Sequence, residues 1–235
     1  MKEATFKPRI DLENRTKLET VLPLDTPYII FIDPSDACNF KCSFCPTGDS
    51  SLMKEVGRPL KQIEWSLYQK IIDDIKEFDK KVKVIRLYKD GEPLLNKRFA
   101  DMIKYAKESD CCEKVDTTTN ASLLSEGLGI RIVNAGLDRI NISIEGMNEK
   151  QYLDFSGYKL KDFRIIVDNV AAFYANKRQC EMIVKINGDN LSEDEKSDFI
   201  DTFGPIADGI WIESVMSCWP EFELRNGVKV NTERG

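Results

Sequence analysis

The sequence predicts an α/β fold, a partial (β/α)6, TIM-like barrel with parallel strands, and three observations predict it. Six short runs rich in β-branched or aromatic residues, at 28–32, 82–88, 114–118, 139–144, 182–186 and 209–215, are bounded by Gly, Pro, Asn or Asp. Stretches of helical periodicity separate them, and such alternation builds parallel strands joined by right-handed crossovers. Six units fall short of the eight that close a barrel, so the sheet should stay open.

The elements follow in order. The run at 28–32 (YIIFI) is almost wholly apolar, as a strand covered on both faces is. After it Ile63, Leu67, Ile71, Ile75 and Phe78 recur at spacings of three and four, one apolar helical stripe. The second strand (VKVIRLY) leads to a helix marked by Phe99 and Ile103, and the third to a helix over 123–133. The fourth strand precedes a helix over 163–174. After the fifth, Ser192 with Glu195 makes a capping box that opens a helix containing Phe199 and Phe203. The sixth strand (GIWIESV) completes the set. In an open sheet or a barrel the ligand site lies beyond the C-terminal strand ends, so chemistry-bearing residues should follow the strands.

A chain of 235 residues that is 42% hydrophobic and 31% charged suits a soluble globular protein. No apolar run is long enough to span a membrane, and the N-terminus (MKEATFKPRIDLENRTKLET) is too charged for a signal peptide. A cytoplasmic protein without a membrane partner is expected. The net charge of −6 argues against nucleic acid as a partner. Histidine is absent altogether, which excludes Ser-His-Asp and His-zinc chemistry.

Seven cysteines remain, and three are clustered. Directly after the first strand comes Asp36-Ala37-Cys38-Asn39-Phe40-Lys41-Cys42-Ser43-Phe44-Cys45-Pro46, a Cys-x3-Cys-x2-Cys spacing with no fourth cysteine nearby. Cytosolic thiols stay reduced, and close spacing reads as metal ligation. Three thiolates hold three irons of a cubane and leave the fourth open, as a catalytic site requires. The competing readings are structural thiols or a zinc site. Zinc would have to recruit Cys111, Cys112, Cys180 or Cys218, which themselves read as buried, incidental thiols.

The triplet, with an aromatic residue directly before its last cysteine, resembles the signature of the radical S-adenosylmethionine (SAM) superfamily. The resemblance implies a [4Fe-4S] cluster on Cys38, Cys42 and Cys45, with S-adenosyl-L-methionine chelating the open iron. One electron then cleaves SAM to a 5′-deoxyadenosyl radical, which abstracts hydrogen from a substrate. Phe44 matches the position beside adenine. Lys89-Asp90-Gly91-Glu92-Pro93 looks like the family's Gly-Gly-Glu-Pro element, with Asp90 in place of the first glycine. Gly91, Glu92 and Pro93 would then offer backbone carbonyls and a carboxylate to the SAM ammonium. Thr119-Asn120-Ala121 is similar to Thr-Asn-Gly and brings Asn120 to the cavity above the cluster; the same residues also suit a helix N-cap. Ser143-Ile144-Glu145-Gly146 resembles Ser-x-Asp-Gly and brings Ser143 to the SAM carboxylate or ribose. Lys185 or Asn187 would reach the same groups, with a solvated lysine the plainer reading. Glu213 and Ser214 fall on the adenine side. No catalytic side chain is assigned.

Residues 52–60 and the DGEPLLN segment look most like the subgroup, often called SPASM or Twitch, whose added C-terminal domain carries auxiliary clusters. The expected division is an N-terminal extension (1–27), a radical SAM core (28–216) and a tail (217–235). The tail would be the start of a truncated auxiliary region, with Cys218 a cluster ligand, a substrate contact or a buried thiol. The expected enzyme is an oxidoreductase acting on a peptide or small-molecule substrate, with flavodoxin or ferredoxin as reductant. The alternative is a non-catalytic iron–sulfur protein for electron transfer or sensing.

Overall fold

The computed structural model describes residues 17–214 and the backbone of Thr5–Phe6. One open sheet of parallel strands runs in the order β1-β7-β6-β5-β4-β3-β2. The strands are β1 (Thr5–Phe6), β2 (Ile29–Phe31), β3 (Val82–Arg86), β4 (Cys112–Thr119), β5 (Arg139–Ile144), β6 (Glu181–Asn187) and β7 (Gly209–Glu213). The edge strands β1 and β2 do not pair with each other, so the barrel is partial, as expected. All six expected strands form, with ends shifted. β2 is shorter than its apolar run, β4 extends to both sides through polar residues, and β7 is described only to Glu213, Val215 lying outside the described residues. A correction concerns β1. It adds a seventh strand from within the expected N-terminal extension, where two residues in a charged segment carry no periodic pattern.

Helices fill the crossovers: α1 (Ser50–Glu55), α2 (Trp65–Ile75), α3 (Phe99–Glu108), α4 (Glu126–Asn134), α5 (Glu149–Ser156), α6 (Arg164–Asn176) and α7 (Glu193–Phe203). In α2 the buried stripe is Tyr68, Ile72 and Ile75, while Leu67 is half exposed, so the expected stripe is rotated by one position. Tyr68 explains the rotation: its ring is buried and its hydroxyl donates to Met102 O at 2.8 Å, an inward role that an apolar count does not assign to a tyrosine. The capping box at Ser192 and Glu195 is present. Sequence periodicity missed α1 and α5, each of which buries few residues; their caps are Asp49, and Asn148 with a left-handed Gly157.

One sheet face packs on the helices. Ile85, Val115, Ile140, Ile142, Met182 and Val184 are fully buried there. The other face is polar at its base. Arg86, Asp116, Arg139 and Glu181 are successive register partners across β3 to β6. Arg86 Nε lies 3.1 Å from Asp116 Oδ2, and the Arg139 guanidinium lies 5.4 Å from the Trp211 ring centroid. Ile142 sits in the middle strand of the sheet, and Ile142→Ala should cost about 3 kcal/mol of stability by leaving a cavity that rigid strands cannot close. Urea unfolding measures it, and a loss below about 1 kcal/mol would show that the helix layer collapses into the gap.

Candidate functional site: a three-thiol loop at the strand ends

The loop after β2 carries Cys38, Cys42 and Cys45, all free thiols and partly buried. Its shape is set from two sides. Lys41 N–H donates to Ser156 O at 2.7 Å and Ser43 N–H to Phe155 O at 2.9 Å, tying the loop to the C-terminal end of α5. Phe40, between the first two cysteines, is buried against Tyr158 and Tyr152, with ring centroids 4.5 and 6.1 Å away. Beyond the third cysteine, Cys45 N–H bonds Cys42 O and Gly48 N–H bonds Cys45 O, a turn that leads into α1.

Burial pushes the Cys38 thiol up to about 12 and those of Cys42 and Cys45 upward too. The Cys45 charge adds to the rise at Cys38, and Glu145, Cys45 and Cys38 add to it at Cys42. Loading a metal group must therefore expel protons from all three. Among the described residues no three His, Cys, Asp or Glu side chains converge on one point as the ligands of a single ion would. The fit to an iron–sulfur cluster rests on donor chemistry: three soft thiols, shielded from water, on one anchored loop.

The turn after β3 packs directly on the segment before Cys38. Gly91 has φ +77°, and a Cβ there would meet Ser35 O at 2.2 Å and Ala37 O at 2.7 Å, so only glycine fits. Glu92 N–H donates to Ala37 O at 2.8 Å. Arg58, which sequence reasoning did not single out, bridges both pieces through Asp90 (3.0 Å) and Asp36 (3.8 Å). The Glu92 carboxylate turns inward and is 2% exposed. It accepts from Leu94 N (3.0 Å), Thr119 Oγ1 (2.6 Å) and Asn120 N (2.9 Å), while Pro93 opens a buried short turn. Burial raises its pKa to about 6 against the pull of these donors.

At the end of β4, Asn120 is buried and its side chain reaches Asn39 in the cysteine loop at 3.0 Å. Ala121, where the family pattern has glycine, takes φ +59° and is held by Asn169 Nδ2 on its carbonyl. At the ends of β5 to β7, Ser143 is the register partner of Lys185, and Lys185 of Trp211. Lys185 Nζ pairs with Glu213 Oε2 at 3.0 Å, so the lysine is in an ion pair and not merely solvated. Glu145 lies against the Cys42 thiol and is pushed to about 7, by burial first, with Lys185 pulling the other way. Asn187 accepts from Asp189 N and shapes its own turn. Phe44 is partly exposed on the loop, and Ser214 is exposed. The structure thus gathers the cysteines with Glu92, Asn120 and Glu145, and holds Lys185 with Glu213 nearby. Cys111, Cys112 and Cys180 are buried; Cys218 lies outside the described residues.

The family model of the Radical SAM superfamily matches residues 32–200. A GTP 3′,8-cyclase of Limosilactobacillus fermentum is 30% identical over 170 residues, covering 72% of this chain and 48% of that protein. One from Vibrio cholerae is 27% identical over 132 residues, covering 55% and 37%. The chain thus spans only between about a third and a half of the length of these curated relatives. Among solved structures, anSMEcpe with bound AdoMet aligns over 86% of this chain and 55% of its own, with TM-score 0.66 and 13% identity. Streptococcus suis SuiB aligns over 79% and 39%, with TM-score 0.60 and 16% identity. At such identities the structures speak for the fold.

Two outcomes follow from the packing at Glu92. Gly91→Ala should abolish binding of a ligand at these strand ends, or soluble expression itself, whereas a variant with wild-type stability would contradict the close approach. Between pH 4.5 and about 6 the folded protein holds a Glu92 proton that the unfolded chain has released. Stability contributed by this group is therefore full below that window and falls by about 2 kcal/mol as pH rises through it. Denaturant unfolding of the cluster-free protein at stepped pH reads the slope, which Glu92→Gln should remove.

Proposed function

The chain belongs to the radical SAM superfamily, and on that premise we propose that it generates a radical from SAM and uses it to take hydrogen from a peptide or small-molecule substrate. The family's cofactors are a [4Fe-4S] cluster and SAM. The observation that carries the reading is the set of three partly buried thiols on one anchored loop, pressed against the Glu92 turn. When bound, cluster and SAM together supply the chemistry, one-electron cleavage of a carbon–sulfur bond to a 5′-deoxyadenosyl radical.

The chain's own residues bind, orient and exclude water. Cys38, Cys42 and Cys45 are the cluster ligands. Gly91 lets the turn lie flat against 35–37, leaving backbone carbonyls for an ammonium, and Pro93 stiffens the turn. Glu92, with its oxygens engaged by chain donors, acts mainly by holding that turn to the end of β4. Phe44 would lie beside adenine. Asn120 would line the cavity, and Ser143 and Lys185 would face the SAM carboxylate or ribose, with the Glu213 ion pair fixing the lysine's position. In this reading residues 28–216 are the radical-generating core. The reaction is an oxidoreduction in the cytoplasm, fed by a flavodoxin- or ferredoxin-type reductant. No helix among the described residues is long and apolar enough to cross a membrane.

Anaerobic iron–sulfide reconstitution, then dithionite and SAM, should release 5′-deoxyadenosine. Cys42→Ala should give neither a complete cluster nor product. An intact cluster that returns SAM unchanged would sink the proposal.

A further inference from the structure

Three polar side chains from two distant segments close a hydrogen-bonded ring beside the first cysteine. Asn39 Nδ2 donates to Ser122 Oγ at 2.9 Å, Ser122 Oγ donates to Asn120 Oδ1 at 2.7 Å, and Asn120 Nδ2 donates to Asn39 Oδ1 at 3.0 Å. Each member gives one proton and accepts one, so the dipoles run head to tail and reinforce one another. The ring is extended in two directions. Asn120 N–H donates to Glu92 Oε2 at 2.9 Å, and Phe40 N–H, one residue on from Asn39, donates to Cys38 Sγ at 3.3 Å.

The ring does something that local capping alone would not. Ser122 N–H already bonds Asn120 Oδ1 at 3.0 Å, which completes the turn after β4 without any help from the cysteine loop. Asn120 and Ser122 nevertheless spend a further donor and acceptor on Asn39, more than eighty residues away in sequence. The other anchor of the loop, at Lys41 and Ser43, goes to α5 and holds its middle. The half carrying Cys38 is held by the ring and by the turn at 91–92.

We infer that the Asn39–Asn120–Ser122 ring is a positioning device that sets the Cys38 end of the cluster loop in register with the end of β4, where SAM is read. The inference rests on the radical SAM reading. None of the three side chains ligates the cluster, so removing the ring leaves thiols and α5 anchors in place. What changes is the placement of the loop against the groups that take SAM.

The test uses the reconstituted full chain. Ser122→Ala opens the ring without touching the cysteine loop, Asn39→Ala opens it from the other side, and Ser122→Thr keeps the hydroxyl. The alanine variants should carry wild-type iron and give the wild-type EPR spectrum of the reduced cluster without SAM. Adding SAM should perturb that spectrum less, and the SAM Kd should rise about tenfold, the effect of losing roughly one hydrogen bond. The double variant should be no worse than either single one, because a ring opens once. Ser122→Thr should behave as wild type. A Ser122→Ala protein with an unchanged Kd and SAM response overturns the inference, as does one that fails to hold the cluster, since the ring would then serve assembly. If Asn39→Ala misfolds, the two Ser122 variants decide. A wild-type spectrum indifferent to SAM would overturn the radical SAM reading along with it.

Discussion

A single buried carboxylate organises the mouth of this barrel. Glu92 is shielded from water, and an ionised group there is tolerable only while its oxygens keep their donors. Those donors come from its own turn and from the end of β4, so the ends of two neighbouring strands cannot drift apart without stranding a charge. The same turn is pressed on residues 35–37 by a glycine that admits no side chain. Whatever position the turn takes, the first cysteine must follow.

The cysteine loop is built to a complementary logic. Burial raises the thiol pKa values in the cluster-free chain, so loading a cluster must displace their protons. Placement comes from elsewhere: α5 holds the middle of the loop, the Phe40 ring pins it to two tyrosines, and Asn39 ties its start to β4. Three separate sets of contacts thus locate a segment that has no regular structure of its own. Such over-determination is what a metal site needs if its ligands are to be oriented before the metal arrives.

Much of this was legible in the sequence, and the misses have physical causes. Six strands and the cysteine spacing could be read because β-branched runs and clustered thiols are local signals. β1 and α5 could not, because one is two residues long and the other shows its caps, Asn148 and Gly157, more clearly than its apolar face. Glu92 was visible as a motif residue, but its direction was not: it turns toward Thr119 and Asn120, a contact across twenty-seven residues that no local pattern encodes. Neither Asn39 nor Arg58 stands out in the sequence, because their partners, Ser122 and Asn120 for one and Asp36 and Asp90 for the other, are brought together only by the fold. Lys185 was expected at the site, yet its pairing with Glu213 depends on the register of β6 and β7, which only the folded sheet supplies.

The inner face below the site is charged and aromatic, with Arg86, Asp116, Arg139 and Trp211 in contact across strands. The central claim is that three thiolates leave one iron of a cubane open to SAM. A Mössbauer spectrum of the reconstituted protein, taken with and without SAM, tests it most directly. The account predicts that one iron of the cluster shifts on adding SAM while the thiolate-bound irons stay put. A spectrum that SAM leaves unchanged would contradict it.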